Sequence, residues 1–284
     1  MSDNKIRYRE IRKSLEKLYP TQPQGNLARH LNTLAGMISG IVGSKSTQLP
    51  KIAEKVPDGT KEASREKKFK RWIMNDEIGI SAYFLPFAVQ LLLSLGLPEI
   101  VLAMDGSAAG RGCAILIVSV IYKKRALPLA WIVTEGGKGH FKEEDHICLI
   151  RQVHDMIPES GRHVVFLGDG EFDGTGLQET LSNWGWCYVC RTAPNVTYYQ
   201  DDNKYQVDMV GCFMPPGFYS SVKNVLFTGK KYGPVTIVRW WEKKEPIFLV
   251  TNMKSAGDAC EYYSKRFRIE TFFSDQKSRG FNIH

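Results

Sequence analysis

The spacing of hydrophobic residues changes from helical to strand-like near residue 99. Between Tyr8 and Trp72, apolar residues recur every three or four positions, and prolines interrupt the pattern at positions 20, 23, 50 and 57. Because proline removes a backbone donor and ends helices, this pattern predicts several short amphipathic helices. The last of them, ASREKKFKRWIMND, contains a dense basic cluster made of Lys67, Lys68, Lys70 and Arg71.

A run of 21 uncharged residues, Ile78–Pro98, follows these helices. It is long enough to raise the possibility of a membrane span. Pro86 and Gln90 argue against a span, and the pattern favours a buried helix that begins at Pro86 and ends at Gly96. We therefore expect no membrane partner.

Beyond Glu99, short apolar runs separated by turn residues predict the order strand, strand, strand, helix, strand, helix, strand. The first strand, EIVLAMDG, ends in Asp105, and the fourth, HVVFLGDGEFDG, ends in Asp169. Ligand sites in such α/β sheets lie at the C-terminal ends of the strands. We therefore expect both aspartates at one edge of the sheet, although either one alone would be better explained as a turn residue or a helix cap.

The stretch from Ser255 to Gly280 predicts one long helix. Ser255 and Asp258 form a capping-box pattern, and Gly280 stands where a left-handed C-terminal stop is common. At about 100° per residue, one narrow stripe contains Tyr263, Arg266, Glu270 and Lys277. A solvated face with internal ion pairs is the ordinary interpretation of such a stripe; the alternative is that it borders a cleft.

Charge is distributed unevenly along the chain. The formal net charge is +8; residues 1–72 contain 16 Lys/Arg against 7 Asp/Glu, whereas the remainder contains 22 against 23. A basic module joined to a near-neutral body favours a polyanionic partner, nucleic acid first and an anionic membrane second. The basic helices therefore predict contacts with DNA phosphates, with a docking domain whose charges face water as the alternative.

The cysteine pattern and the N-terminus indicate an intracellular protein. The six cysteines are scattered, mostly in apolar runs, as is typical of reduced thiols. Cys187 and Cys190 form a lone C-x-x-C, but in a strand their side chains would point to opposite faces, so a metal or redox role is not favoured. The charged start MSDNKIRYRE lacks a signal region. We expect a cytoplasmic location.

Two strand-end aspartates and one glutamate on the C-terminal helix would form a cluster of three acids. Such acids repel one another unless cations lie between them, and hard oxygen ligands suit Mg²⁺ or Mn²⁺. Two such ions stabilise both the attacking and the leaving oxygen of a phosphodiester displacement. The candidate ligands are Asp105, Asp169 and Glu270.

Three segments, VLAMDG, VVFLGDGEFDG and YSKRFRIETFFSDQK, resemble the catalytic segments of the DDE transposases of bacterial insertion sequences. The last fits the Y-x2-R-x3-E-x6-K signature of one large branch at every position. The resemblance extends over roughly residues 99–280, and the basic N-terminus is similar to that family's DNA-binding region. It implies an α/β fold with an RNase H-like catalytic core, a β-rich insertion and a helical, basic N-terminal domain.

The resemblance also implies roles for individual residues. Asp105, Asp169 and Glu270 would hold two Mg²⁺ or Mn²⁺ ions, and Tyr263, Arg266, Lys277 and Arg191 would contact DNA phosphates. Arg191 is nearly as well explained as an ordinary charge at a strand end. The partners implied are double-stranded DNA, namely terminal inverted repeats and target DNA, and a second copy of the chain in a synaptic homodimer. A bacterial, nucleoid-associated location follows from these partners.

The predicted domain layout has four parts: residues 1–76 form the DNA-binding region, 77–191 the first part of the core, 192–246 the β insertion, and 247–284 the last core strand and catalytic helix. In related enzymes the insertion receives a flipped base during hairpin formation. Base stacking needs a flat exposed ring. Trp240, Trp241 and Phe248 are the candidates, and a core role for these rings is at least as well supported.

Two departures from the family pattern leave alternatives open. Glu171 follows Asp169 where relatives often have a basic residue, and the chain stops at His284, where many relatives continue into a dimerisation region. A truncated or catalytically inactive remnant that only binds DNA is therefore the alternative function. A metal-dependent phosphatase or kinase is ranked last, because the D-x-D and P-loop patterns are missing from the sequence.

Overall fold

The computed structural model describes four stretches of chain, which are residues 3–137, 141–157, 161–241 and 245–279. Gly280, the predicted end of the C-terminal helix, lies outside them. The chain divides into two compact units, one comprising Met1–Leu97 with Phe273–His284 and the other Pro98–Phe272.

The first unit contains six helices within its described N-terminal part. They are α1 (Asp3–Leu18), α2 (Gly25–Ser44), α3 (Leu49–Glu54), α4 (Glu62–Ile73), α5 (Ile80–Tyr83) and α6 (Leu85–Ser94). The predicted buried helix corresponds to α6, which begins one residue before Pro86 and has only Ala88 and Leu92 fully buried. Among the described residues, no helix is long and apolar enough to cross a membrane.

The core of this unit lies between α2, α3 and α4. Phe69 of α4 is 2% exposed and belongs to a buried cluster with Met37, Ile52, Ala53 and Val56. The glycines of α2 allow the close approach, because a Cβ added at Gly40 would lie 2.5 Å from the carbonyl oxygen of Ile52. The amphipathic pattern of the sequence is therefore used to pack three short helices through one aromatic ring.

The second unit is built on a ten-stranded sheet. Its strands are β1 (Glu99–Gly110), β2 (Cys113–Tyr122), β3 (Arg125–Glu135), β4 (His163–Gly168), β5 (Cys187–Thr192), β6 (Thr197–Gln200), β7 (Asn203–Gln206), β8 (Tyr219–Phe227), β9 (Tyr232–Trp240) and β10 (Ile247–Thr251). Their spatial order is β3-β2-β1-β4-β5-β10-β9-β8-β6-β7. Two helices lie between strands in sequence, α7 (Glu143–Met156) and α8 (Thr175–Asn183).

The first five strands have the arrangement of an RNase H-like core. β1 pairs antiparallel with β2, and β2 pairs antiparallel with β3. β1 pairs parallel with β4, and β4 pairs parallel with β5. The predicted order of strands and helices matches this part of the chain. One detail was wrong: β1 does not end at Asp105 but continues to Gly110, because its second half keeps pairing with β2.

The strands of the predicted insertion extend the same sheet. β10 pairs antiparallel with both β5 and β9, so it joins the core to the hairpin of β8 and β9. β6 pairs with β8 and β7, and a 3-10 turn, Val207–Met209, follows. The insertion therefore adds to one edge of the core sheet instead of forming a separate one.

The C-terminal helical run is interrupted, contrary to the prediction of one continuous helix. It consists of α9 (Ala256–Lys265), α10 (Phe267–Ser274) and a π-helical turn, Asp275–Arg279. The side chain of Ser255 accepts a hydrogen bond from the Asp258 N–H at 3.2 Å, which agrees with the predicted cap. The break occurs at Arg266, whose N–H donates to the Tyr263 carbonyl oxygen three residues back, so the helix tightens locally at this residue.

Candidate active site and nucleic-acid interface

Asp105 lies where β1 stops pairing with β4. The last pair in that register is Ala103 with Leu167, and two residues further along each chain segment lie Asp105 and Asp169. The Asp105 side chain is 7% exposed, and its Oδ1 accepts a hydrogen bond from the Gly106 N–H at 2.8 Å. The two predicted aspartates therefore both lie just beyond the last β1–β4 pair, at the same end of the paired region.

Asp169 is the first residue after β4, in a tight turn. Its Oδ1 accepts a hydrogen bond from the Glu171 N–H at 3.0 Å, and its carbonyl oxygen accepts one from the Phe172 N–H at 3.1 Å. Gly168 is needed for this turn, because a Cβ there would lie 2.6 Å from Cβ of Phe172. The turn thus orients the Asp169 carboxylate through its own backbone.

Two further acids support the loop that follows Asp169, and the sequence analysis missed both. Glu143 Oε1 accepts a hydrogen bond from the Leu177 N–H at 2.9 Å, so the first turn of α7 caps α8. Asp173 accepts a hydrogen bond from the Thr192 hydroxyl at 2.6 Å. Burial raises the pKa of Asp173, and the Thr192 hydrogen bond offsets part of that effect. Gly174 leaves room for this contact, because a Cβ there would lie 2.3 Å from Glu143 Oε1. No local sequence signal marks either acid.

His146 of α7 packs against the same loop. Its ring lies 4.7 Å from that of Phe172, centroid to centroid, and it is 3% exposed. Burial lowers its pKa, although the nearby carboxylates, Asp145 first among them, act in the opposite direction. A neutral imidazole therefore fills the space beneath the Asp169 turn.

Glu270 of α10 is joined to Asp105 by Arg266. One guanidinium nitrogen, Nη2, forms an ion pair and hydrogen bond with Glu270 Oε1, and the other, Nη1, lies 3.5 Å from Asp105 Oδ2. Burial alone would lower the Arg266 pKa, but attraction to Tyr263, Glu270 and Asp105 raises it. Two of the three predicted ligands thus share a single internal cation.

The three candidate ligands Asp105, Asp169 and Glu270 are carboxylates, the ligands that Mg²⁺ and Mn²⁺ prefer. Among residues 3–137, 141–157, 161–241 and 245–279, no group of three or more His, Cys, Asp or Glu side chains is close enough to hold a metal ion. The ligand chemistry therefore fits such an ion, while two of the three carboxylates are engaged by Arg266.

The other signature residues have distinct environments. Tyr263 is 7% exposed, and the Arg266 guanidinium lies 5.6 Å from its ring centroid. Burial raises the Tyr263 pKa, and the positive charges of Arg266 and Arg191 counteract this. Arg191 is exposed on β5, opposite Leu249 of β10. Lys277 lies in the π-helical turn and is partly exposed.

A family model described as a transposase DDE domain matches residues 103–284 of the chain. This match covers more than half of the sequence and includes both aspartates and the whole C-terminal helical run. The chain belongs to the DDE transposase family. Membership supports a DNA-cleaving transposase activity for the DDE domain.

Other comparisons add little to this assignment. A search of the curated proteins found no match. Among solved structures, the chain is similar to Ciona intestinalis endonuclease V in complex with a 24mer DNA containing an inosine followed by a ribo-adenosine, at 16% identity, a TM-score of 0.33 and coverage of 60% of this chain and 77% of that chain. A variant of that enzyme with a 23mer DNA gives 13% identity, a TM-score of 0.33 and coverage of 60% and 76%. A likeness this distant supports no functional comparison.

The aromatic candidates of the DDE domain differ in exposure. Phe248 is 7% exposed, and Trp240 and Trp241 are partly exposed. The Arg239 guanidinium lies 5.6 Å from the ring centroids of both Trp241 and Phe248. Phe213, in the loop before β8, is 98% exposed, and the sequence analysis did not single it out.

In the helical unit, the four predicted basic residues of α4 are all exposed. Two of them, Lys68 and Arg71, line a groove of about 580 Å³ between α2 and the C-terminal end of α4. The remaining lining residues are Asn26, Arg29, His30, Thr33, Trp72 and Asn75. Within the described chain no acidic side chain lines this groove, so it favours an anionic ligand. Arg29 is a cation of this groove that the sequence analysis missed.

Proposed function

We propose that the chain is a transposase of the branch with the Y-x2-R-x3-E-x6-K signature, which binds terminal inverted repeats in double-stranded DNA and cuts and joins strands there. One observation carries this proposal. Asp105 and Asp169 each follow the last β1–β4 pair by two residues, and Arg266 contacts both Asp105 and Glu270. This arrangement supports a shared role for three acids that are distant in sequence.

Asp105, Asp169 and Glu270 are the proposed ligands of two Mg²⁺ or Mn²⁺ ions. When bound, such ions activate water and stabilise the oxygens that attack and leave a phosphodiester. The backbone hydrogen bonds from Gly106 and Glu171 each hold one aspartate oxygen. Each aspartate is thereby oriented before any ligand arrives, which reduces the cost of ordering the site.

The basic and aromatic residues have positioning roles in this proposal. Arg266, Arg191 and Lys277, with the Tyr263 hydroxyl, hold phosphates of the transposon end, since guanidinium groups match phosphate oxygens in pairs. Trp240 and Trp241, backed by Phe248, are the stacking candidates for an unpaired base if cleavage proceeds through a hairpin. The hydroxyl released by the first cut is the nucleophile for strand transfer, so no covalent protein intermediate is expected.

The helical unit supplies the main contacts to the duplex. Lys67, Lys68, Lys70 and Arg71 contact phosphates, and the groove beside them adds Arg29. Such contacts supply affinity without reading sequence. Two ends are held together by a homodimer of the chain in the synaptic complex.

Asp105→Asn tests the proposal directly. The experiment is incubation of DNA bearing the element's ends with Mg²⁺, followed by strand analysis, with a gel-shift assay for end binding. The variant should lose cleavage and retain binding, because the amide keeps the shape of the side chain and removes its charge. Mg²⁺-dependent cleavage by the variant at the wild-type rate would exclude the assignment of Asp105.

A DNA-binding protein without cleavage activity is the second candidate. The engagement of Asp105 and Glu270 by Arg266, with no three-acid metal cluster among the described residues, favours it. The same assay separates the two functions, because the second predicts binding of ends by the wild-type chain without any Mg²⁺-dependent nicking.

A further inference from the structure

Arg266 occupies an unusual position for a residue proposed to hold DNA. It stands at the break between α9 and α10, and its side chain is only 14% exposed. Nη2 is bonded to Glu270, whereas Nη1 is buried and makes no hydrogen bond within the described chain. Nη1 lies 3.5 Å from Asp105 Oδ2, a long distance for an ion pair. Within the described residues, Nη2 thus has a hydrogen-bond acceptor and Nη1 lacks one.

An incompletely bonded, buried guanidinium has a consequence for its neighbours. Burying a donor without an acceptor costs free energy, and the cost is larger when the group is charged. A phosphate oxygen would remove that cost, because phosphates accept two parallel hydrogen bonds from one guanidinium. At the same time the positive charge of Arg266 repels any second cation near Asp105 and Glu270. Arg266 is therefore placed to give up its contacts with the two carboxylates and to bind a phosphate group instead.

We propose that Arg266 is a tethered counter-ion that occupies the Asp105–Glu270 carboxylates in the DNA-free protein, competes there with a divalent cation, and releases them when a DNA phosphate takes the guanidinium. This inference rests on the proposed function. Because coupling between two ligands is reciprocal, DNA tightens cation binding and the cation tightens DNA binding. The free protein is thereby kept from loading metal before it holds its substrate.

Mn²⁺ binding provides a readout that does not depend on catalysis. The experiment titrates the full chain with Mn²⁺ alone and follows free Mn²⁺ by electron paramagnetic resonance, comparing wild type with Arg266→Gln. Removal of the competing charge should tighten the Asp105-dependent Mn²⁺ site, about 5-fold or more if the coupling is of ordinary size. Asp105→Asn, titrated in parallel, identifies which bound Mn²⁺ belongs to this site.

A second titration tests the exchange itself. It adds a short duplex of mixed sequence at low ionic strength, with Asp105→Asn as the correction for ions bound by the DNA. The wild-type Mn²⁺ dissociation constant should fall by about 5- to 150-fold, the usual range of coupling between sites. In Arg266→Gln the duplex should leave it unchanged. Arg266→Lys retains the charge and should keep part of the effect.

Arg268→Gln is the matched control. Arg268 lies two residues away on α10 and forms no ion pair with an acid within the described chain, so its loss should leave both titrations as in wild type. Near-ultraviolet circular dichroism establishes that each variant is folded. Equal Mn²⁺ affinities in wild type and Arg266→Gln, with an Asp105-dependent site present in both, would overturn this inference and leave the proposed function standing. If no variant has an Asp105-dependent site, both fail.

Discussion

Two charged regions of the molecule differ in whether their charges have partners of opposite sign. In the sheet unit, Asp105 and Glu270 share the internal cation Arg266, and Asp169 is satisfied by its own turn. In the helical unit, the cations of the α2–α4 groove, Arg29, Lys68 and Arg71, face amide, hydroxyl and ring side chains; in the described residues no acid lines it. In the first region the charges have internal partners, whereas the second leaves its positive charge for a ligand.

Burial explains the difference. Asp105 and Arg266 are largely buried, and an isolated charge in such a place costs several kcal/mol in real proteins. The groove cations Arg29, Lys68 and Arg71 are exposed, so water solvates them and an unmatched cation costs little. Arg65, on the same helix as Lys68 and Arg71, is mostly buried and is paired with Asp58 at 2.8 Å. Unmatched charge therefore occurs where water can solvate it, and that is where a long polyanion can bind.

The largest expected effect is the loss of cleavage when a proposed metal ligand is neutralised, compared with the loss when a supporting acid is neutralised. Asp169→Asn should lower Mg²⁺-dependent cleavage by about 10⁴-fold, the scale seen when one member of a catalytic set is removed. Asp173→Asn should lower it by about 10-fold, the low end for residues that act indirectly on a metal site, because an amide oxygen can still accept from Thr192. Cleavage of labelled DNA ends measures both. Equal losses in two folded variants would mean that the acids have been assigned wrongly.

The packing beneath the groove gives the next largest effect. Phe69→Ala removes the ring that packs α4 against α2 and α3, and such a change costs about 3–5 kcal/mol in a core. Urea unfolding of the full chain should detect the loss, and DNA affinity should fall with it because the groove walls lose their spacing. Val42→Ala is the control: Val42 is 48% exposed on α2, and the change should cost within about 0.5 kcal/mol. Unfolding curves that coincide for the two variants would show that the Phe69 ring does not stabilise the packing of α2, α3 and α4.

The groove itself is tested by salt dependence. Replacing Arg29, Lys68 and Arg71 together with glutamine should weaken DNA binding and flatten the plot of log affinity against log salt, by about 0.9 for each phosphate that the protein no longer neutralises. Lys13 and Lys17, exposed on α1, form the matched control pair. Binding isotherms across a salt series measure the slopes. If the α1 pair flattens the slope as much per residue, the groove has no special place in the interface.

The sequence predicted the acid region better than the groove. Apolar runs that end in aspartate marked β1 and β4, and the spacing of Arg266 and Glu270, four residues apart, is the helical ion-pair spacing. The contact between Arg266 and Asp105 links residues 161 positions apart and has no local signal. The extension of β1 to Gly110 was missed because Gly-Ser-Ala-Ala-Gly has low strand propensity, which pairing with β2 overrides.

The groove was only half predicted for a similar reason. The basic cluster of α4 is visible in one stretch of sequence, whereas Arg29 joins it only through the packing of α2 against α4. Likewise, the break at Arg266 follows no proline or glycine, so the periodicity alone predicts a continuous helix. Tertiary packing decided each of these features, and it cannot be read from residues that are close in sequence.

The smallest expected effect concerns the turn that carries Asp169. Burial lowers the pKa of His146 in the folded protein, whereas a histidine in the unfolded chain has a pKa near 6.5. The unfolded state therefore binds more protons as pH falls through that value, and the stability that the neutral imidazole contributes at higher pH is lost progressively down to the folded-state pKa. His146→Leu keeps the apolar contact with Phe172 and removes the titration, so its melting temperature should fall less than that of wild type between pH 7.5 and 5. The difference should be a few degrees, because the melting temperature of a unit of this size shifts by about 2–4 °C per kcal/mol.

His154→Gln is the control, because the His154 ring is partly exposed on the same helix. This variant should keep the wild-type dependence of melting temperature on pH. A flattened dependence in His154→Gln would locate the pH effect away from the Asp169 turn.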